Sequence, residues 1–169
     1  MHRFHPRICL LGLLLLFACR TGETIDPEVC RDGTCTYTFA ADSQIALAMQ
    51  DSLIVGADIG AGDRLVFRYF YVKDDKPQIA DDEYAELVLW EVAPTGDRFE
   101  LTGADLSEAL VLFHAICFCA ERQYLSPQAG GSIRGTRLDA QTWRITADLH
   151  FLSDSHDRHL SFVQDFVEE

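Results

Sequence analysis

Asparagine is absent from this 169-residue chain, and lysine occurs only twice, at Lys73 and Lys76, against twelve arginines. Without asparagine there is no acceptor for N-linked glycosylation, and the arginine skew fits a GC-rich genome or salty surroundings. Positive charge is scarce altogether: 14 basic residues stand against 27 acidic ones, a formal charge of −13. That balance excludes a nucleic-acid partner, which needs a basic patch to neutralise phosphates, and it repels anionic lipid headgroups. Carboxylate-rich surfaces also serve solubility alone. Long apolar runs are missing as well. The stretch from Ile8 to Ala18, broken only by Gly12, is eleven residues, too short for a membrane-spanning helix, which takes about 20. There is no His-Glu-x-x-His, phosphate loop or dinucleotide fingerprint, no internal repeat and no low-complexity segment.

What is present begins with the leader. Arg3 and Arg7, beside His2 and His5, precede that apolar run, and polar Arg20, Thr21, Gly22 and Glu23 follow it, the charged-then-apolar layout of a secretory signal peptide. The junction Leu16-Phe17-Ala18-Cys19 resembles the lipobox of bacterial lipoproteins. The resemblance implies that residues 1–18 are removed and that Cys19 becomes a lipid-modified N-terminus. Several acyl chains hold a protein at a membrane far more firmly than one, because each buried methylene contributes about 0.8 kcal/mol. Lipoproteins with aspartate directly after the cysteine tend to stay at the inner membrane; here Arg20 follows Cys19, which implies the outer membrane. Loss of the leader takes Arg3 and Arg7 with it, leaving twelve basic against 27 acidic residues and a formal charge of −15. Membrane attachment must then come from the covalent lipid.

Residues 19–29 read as a short polar tether with Gly22 and Pro27, and 30–169 as one domain of ordinary size. Alternating β-branched and aromatic positions separated by turn signals predict strands at 34–40, 44–49, 65–72, 84–92, 132–138, 142–151 and 160–167. In one of these, Trp143, Ile145, Ala147, Leu149 and Phe151 fall on one face and Arg144, Thr146, Asp148 and His150 on the other, the pattern of a half-buried antiparallel strand. Residues 105–119 fit both a helical face (Leu106, Ala109, Leu110, Phe113, Cys117) behind a cap at Asp105 and a strand; a short helical turn leading into a strand reconciles them. Strand-helix alternation is missing, so the expected fold is all-β, an antiparallel β-sandwich with at most one short helix.

Four cysteines remain once Cys9 leaves with the signal and Cys19 takes lipid: Cys30, Cys35, Cys117 and Cys119. An even number in an oxidising compartment points to disulfides. Asp32-Gly33 between the first pair is a favoured two-residue hairpin turn, which places Cys30 opposite Cys35 with Cα atoms about 4.5 Å apart, a separation that allows a bridge. Cys117 and Cys119 would lie about 6.6 Å apart in an extended strand, beyond direct bonding without a bend. They are the candidate thiol or metal site, alone or with His114, and soft thiolates would favour zinc or copper.

Weaker constellations also stand out. Asp74-Asp75 and Asp81-Asp82-Glu83 offer hard oxygens for calcium, although the EF-hand spacing is absent and a solvated acidic loop is the plainer expectation. His156-Asp157-Arg158-His159 reads as a solvated loop. Gly130-Gly131-Ser132-Ile133-Arg134-Gly135 has Arg134 where Gly-x-Ser-x-Gly needs its second glycine, so Ser132 is a poor nucleophile. Tyr69 and Tyr71 share a face opposite Phe70, so one of these sets must point away from the core; exposed tyrosines would mark a glycan-stacking surface. Glu86 or Glu91 would serve a hydrolase only if a second carboxylate lay about 5 to 10 Å away across a cleft.

Together these readings give a lipid-anchored cell-envelope module without catalytic motif, cofactor or metal, which binds an envelope protein or a glycan. A carrier of a small ligand or glycan, identified by a deep apolar cavity, and a thiol or metal site at Cys117 and Cys119 are the alternatives.

Overall fold

The described residues form nine strands and one helical turn, and several of the strands follow the period-2 pattern of the sequence. The structure is a computed structural model, and it describes residues 29–74, 83–117, 123–154 and 157–169. The strands are β1 (Gly33–Gln50), β2 (Leu53–Ala61), β3 (Arg64–Lys73), β4 (Ala85–Val92), β5 (Arg98–Thr102), β6 (Leu112–Ile116), β7 (Ser132–Arg137), β8 (Thr142–Leu152) and β9 (Asp157–Glu168), with α1 (Asp105–Glu108) before β6. The helical turn leading into a strand is there, but its N-cap is Ala104, without a side-chain cap. Asp105 Oδ2 instead accepts the Thr102 N–H from 3.4 Å.

The chain is all-β, but the two sheets of an antiparallel sandwich are replaced by one continuous mixed sheet. Its order is β5-β7-β8-β9-β1-β3-β4-β6, with β2 paired to β1 off this path. The β1/β9 pair is parallel, Thr38 opposite Val167 and Phe39 opposite Glu168. No sequence periodicity distinguishes a strand that joins two halves from one that ends a sheet, so this junction was invisible beforehand.

The sheet is strongly curled. At about 4.8 Å per strand step, β5 and β3 would stand roughly 24 Å apart on a flat sheet, yet Phe99 of β5 and Phe67 of β3 have ring centroids 5.6 Å apart. Phe113 of β6 stacks on Phe151 of β8 at 5.0 Å in the same way. The concave face is filled by aromatic rings. Phe67 stacks on Trp90 at 5.2 Å and meets Trp143 and Phe166 edge-on at 5.9 and 5.8 Å; such pairs contribute about 0.5–1.5 kcal/mol each beyond the area they bury. All five apolar residues of the β8 stripe, Trp143 to Phe151, are buried there. Tyr69 and Tyr71 belong to this core too, while Phe70 faces the other way. The expectation of a tyrosine binding face is thereby corrected: a strand whose concave side needs large side chains recruits the tyrosines inward.

β1 unites the two strands expected at 34–40 and 44–49. Its register against β3 breaks between Ala40 and Ser43, where Asp42 adopts φ +50°. Beyond that bend β1 leaves β3 and pairs with β2, a strand the sequence pattern had not suggested. The β1-β2 hairpin turns at Asp51 and Ser52, both at positive φ, the conformation of a type I′ turn. This arm folds over the convex face, where Ile45, Ile54, Ala57 and Ile59 pack against Val66, Leu89 and Leu112.

Candidate functional site

A group of hydrogen-bonded polar side chains lies inside one end of the curled sheet. Glu86 on β4 is 3% exposed. Arg158 on β9 reaches it across the concave face, its Nε 2.9 Å from Oε1 and its terminal nitrogen 3.0 Å from Oε2. Tyr84 donates to Glu86 Oε1 at 2.9 Å. The Tyr69 hydroxyl donates to the Val29 carbonyl at 3.2 Å and lies 3.5 Å from Glu86 Oε2. Tyr71 donates to the Arg31 carbonyl at 2.8 Å.

Burial is the main reason the phenols resist ionisation. It pushes Tyr37 up to about 12. Burial first, and then the facing Glu86 carboxylate, hold Tyr69, Tyr71 and Tyr84 above the ordinary phenol range. For Arg158, burial works against the charge, but the Glu86 carboxylate and then the Tyr69 and Tyr84 phenols outweigh it, so its pKa is raised. The group is a set of neutral phenol donors around one ion pair.

Beside this group, Cys30 and Cys35 form a disulfide, with Cα atoms 5.7 Å apart. The pairing agrees with the sequence reading; the two-residue hairpin does not. Residues 29–32 are a turn, Asp32 alone takes positive φ (+57°), and the strand begins at Gly33. Gly33 is needed for close approach, because a Cβ there would lie 2.3 Å from the Val72 carbonyl oxygen.

Cys117 follows β6 and packs against the concave core. It is disulfide-bonded and in that state offers no thiolate to a metal. Cys119 lies outside the described residues. His114 sits on the convex side of β6, stacked on Tyr124 at 4.5 Å, so the strand itself separates it from Cys117. Cys19 and the leader, Asp75, Asp81, Asp82 and His156 also lie outside the described residues. Among the described residues no three His, Cys, Asp or Glu side chains converge as a metal site.

The two carboxylates considered for hydrolysis do not meet. Glu86 and Glu91 are five residues apart on β4, an odd number, so they point to opposite faces. Glu91 has a bracket role instead. Where β1 leaves β3, the Ile45 N–H donates to Glu91 Oε2 at 2.8 Å, and Arg64 Nε lies 3.2 Å from Oε1. Ser132 is a plain β7 residue, facing Thr102 and Asp148 in the ladder.

The 157–159 segment is strand rather than the expected loop. His159 stands opposite His150, His150 Nε2 lies 2.6 Å from Asp157 Oδ1, and His159 Nε2 lies 2.5 Å from Asp148 Oδ1. Both imidazoles border an open hollow of about 480 Å³ with Gln128, Gly130 and Gly131. Arg158, Arg64 and Asp148 were missed from sequence, because their partners lie on other strands: Arg158 and Glu86 are 72 residues apart. The only available signal was parity, since Arg158 shares a face with the core positions Leu160 and Phe162.

No family model, no curated protein and no solved structure matches this chain.

Proposed function

We propose that this protein is a lipid-anchored, non-catalytic binding or accessory module of the cell envelope, held at the outer membrane through Cys19. The observation that carries the non-catalytic reading is the separation of Glu86 and Glu91 on opposite faces of β4, each engaged by its own arginine. Paired-carboxylate hydrolysis needs two such groups facing one cleft. The phenols beside Glu86 are locked as hydrogen-bond donors by burial.

The anchor reading rests on Leu16-Phe17-Ala18-Cys19. It also gives the domain an orientation. Ten Cα steps separate Cys19 from Val29 and span at most about 35 Å, and Val29 is buried against the Glu86 end of the sheet. That end would therefore stay near the bilayer, leaving the opposite end and the convex arm free for an envelope protein or a glycan.

The test is radiolabelled palmitate incorporation with detergent-phase partitioning of the full chain. The wild type is expected to carry label and enter the detergent phase, and Cys19→Ala to lose both properties. A Cys19→Ala protein that stayed labelled and in the detergent phase would overturn the assignment.

A further inference from the structure

β8 and β9 set two histidines side by side on the outer surface of the curled sheet. The alternation that buries Trp143 to Phe151 on β8, and Leu160 and Phe162 on β9, leaves Asp148, His150, Asp157 and His159 on the other face. His150 stands directly opposite His159 in the antiparallel ladder, a position that brings Cβ atoms to about 4.5–5.5 Å. The ring centroids are 6.3 Å apart and the ring planes nearly perpendicular, at 82°.

Each ring is held by one carboxylate on the diagonal of the ladder, His150 Nε2 by Asp157 Oδ1 at 2.6 Å and His159 Nε2 by Asp148 Oδ1 at 2.5 Å. In a neutral imidazole that bond keeps the proton on Nε2 and leaves Nδ1 as the basic nitrogen. Neither Nδ1 has a partner among the described residues. A carboxylate behind one nitrogen is the support that metal-binding histidines ordinarily carry. His150, His159 and Asp148 border one open hollow of about 480 Å³, which leaves room for an ion and its waters, and no lysine or arginine lines it among the described residues. Two imidazoles without a third convergent side chain are too few for a structural zinc site, which takes four protein ligands. They suit copper(II), which binds imidazole most tightly of the common divalent ions and accepts a square of nitrogens and oxygens. An ion held at about 2.0 Å by one nitrogen of each ring sets the centroids roughly 4.5 Å apart in a cis arrangement and roughly 6.3 Å apart in a trans one. The observed spacing is the wide end of that range, and side chains 43% and 61% exposed can turn to narrow it without disturbing the core.

We propose that His150 and His159 bind one copper(II) ion at this hollow, with Asp157 and Asp148 orienting the rings and water completing the coordination. The site goes beyond the binding-module reading and does not depend on the lipid anchor.

The test is a titration of copper(II) into the full chain, purified in detergent without a polyhistidine tag and held in a non-coordinating buffer. Calorimetry reads the affinity, and electron spin echo modulation counts the coordinated imidazoles. One ion with two imidazoles is expected at this site. His150→Gln and His159→Gln should each weaken its binding about 100-fold, the gain that a second tethered ligand supplies. Asp148→Asn with Asp157→Asn should weaken it roughly tenfold or more, His156→Gln should leave it unchanged, and zinc should bind less tightly than copper. Should a histidine variant misfold by circular dichroism, diethyl pyrocarbonate labelling of the wild type decides instead: one equivalent of copper(II) should protect both His150 and His159, as read by peptide mass mapping. Affinity unchanged in both histidine variants, loss of binding in His156→Gln alone, or rings left unprotected by copper(II) would overturn the site. Each of these failures leaves the Cys19 assignment standing, because phase partitioning reads that separately.

Discussion

Arg158 of β9 and Glu86 of β4 form an ion pair across the inside of the curled sheet, Nε to Oε1 at 2.9 Å, although two strands, β1 and β3, lie between theirs in the sheet order. The pair is a strut that closes one end of the concave core.

Removing one partner leaves a buried charge alone, which typically costs about 3–5 kcal/mol. Arg158 is one-quarter exposed, so the lower figure applies. Arg158→Met should lower stability by about 3 kcal/mol and the melting temperature by about 10 °C. Arg158→Met with Glu86→Leu should recover most of that loss. Urea unfolding followed by circular dichroism reads both, and a single variant within about 1 kcal/mol of wild type would show the strut to be unimportant.

Gly135 of β7 faces Phe99 of β5, and a Cβ at that position would lie 2.1 Å from the ring. The edge strand is held by a ring laid over a glycine. Gly135→Ala should cost about 1–3 kcal/mol by overpacking, and Phe99→Leu in the same chain should relieve part of it. A double-mutant cycle measures the coupling; additive effects would contradict the contact.

All five tyrosines of the chain have raised pKa values, burial being the largest cause at each. The unfolded phenol, near its ordinary value of about 10, loses its proton before the folded one. Stability is therefore fully present below about pH 10 and falls as pH rises from there through the folded values, Tyr37 at about 12. Absorbance titration at 295 nm should show no phenolate step near pH 10, only a rise that coincides with alkaline unfolding. A reversible step of several tyrosines near pH 10 with the fold intact would refute this.

The outer edge of β2 is closed by neighbours. Tyr124 donates its N–H to the Ile54 carbonyl at 3.1 Å, its phenol hydrogen-bonds the Ala57 backbone, and Asp58 Oδ1 takes the Ile59 N–H. An uncovered edge this long and this poor in charge would template pairing with another chain. Asp58→Ala with Tyr124→Ala should make the protein self-associate with rising concentration. Sedimentation velocity is the measurement, and a monomer at every concentration would show the caps to be dispensable.

Much of the strand pattern could be read directly from residue alternation. Trp143 to Phe151 carries a period of two, and Leu65 to Val72 is a nearly unbroken run of β-branched and aromatic residues. β2 and β5 were not legible: Leu53–Ala61 has little polar alternation, and Arg98–Thr102 is a five-residue edge. Asp51-Ser52 is also a weaker turn signal than the Asn-Gly or Asp-Gly pairs that usually announce a type I′ hairpin.

The sequence by itself determined the acidic charge, the all-β class and the proximity of Cys30 to Cys35, because each depends on composition or on neighbours a few residues apart. Tertiary structure alone decided that β1 and β9 join parallel, that the sheet curls until β5 meets β3, and that Tyr69 and Tyr71 turn inward. It alone brought Arg158 to Glu86, and the arm over Arg68. These choices depend on which distant strand supplies the missing hydrogen bonds and apolar cover, and that competition is settled only when the whole sheet closes on its core.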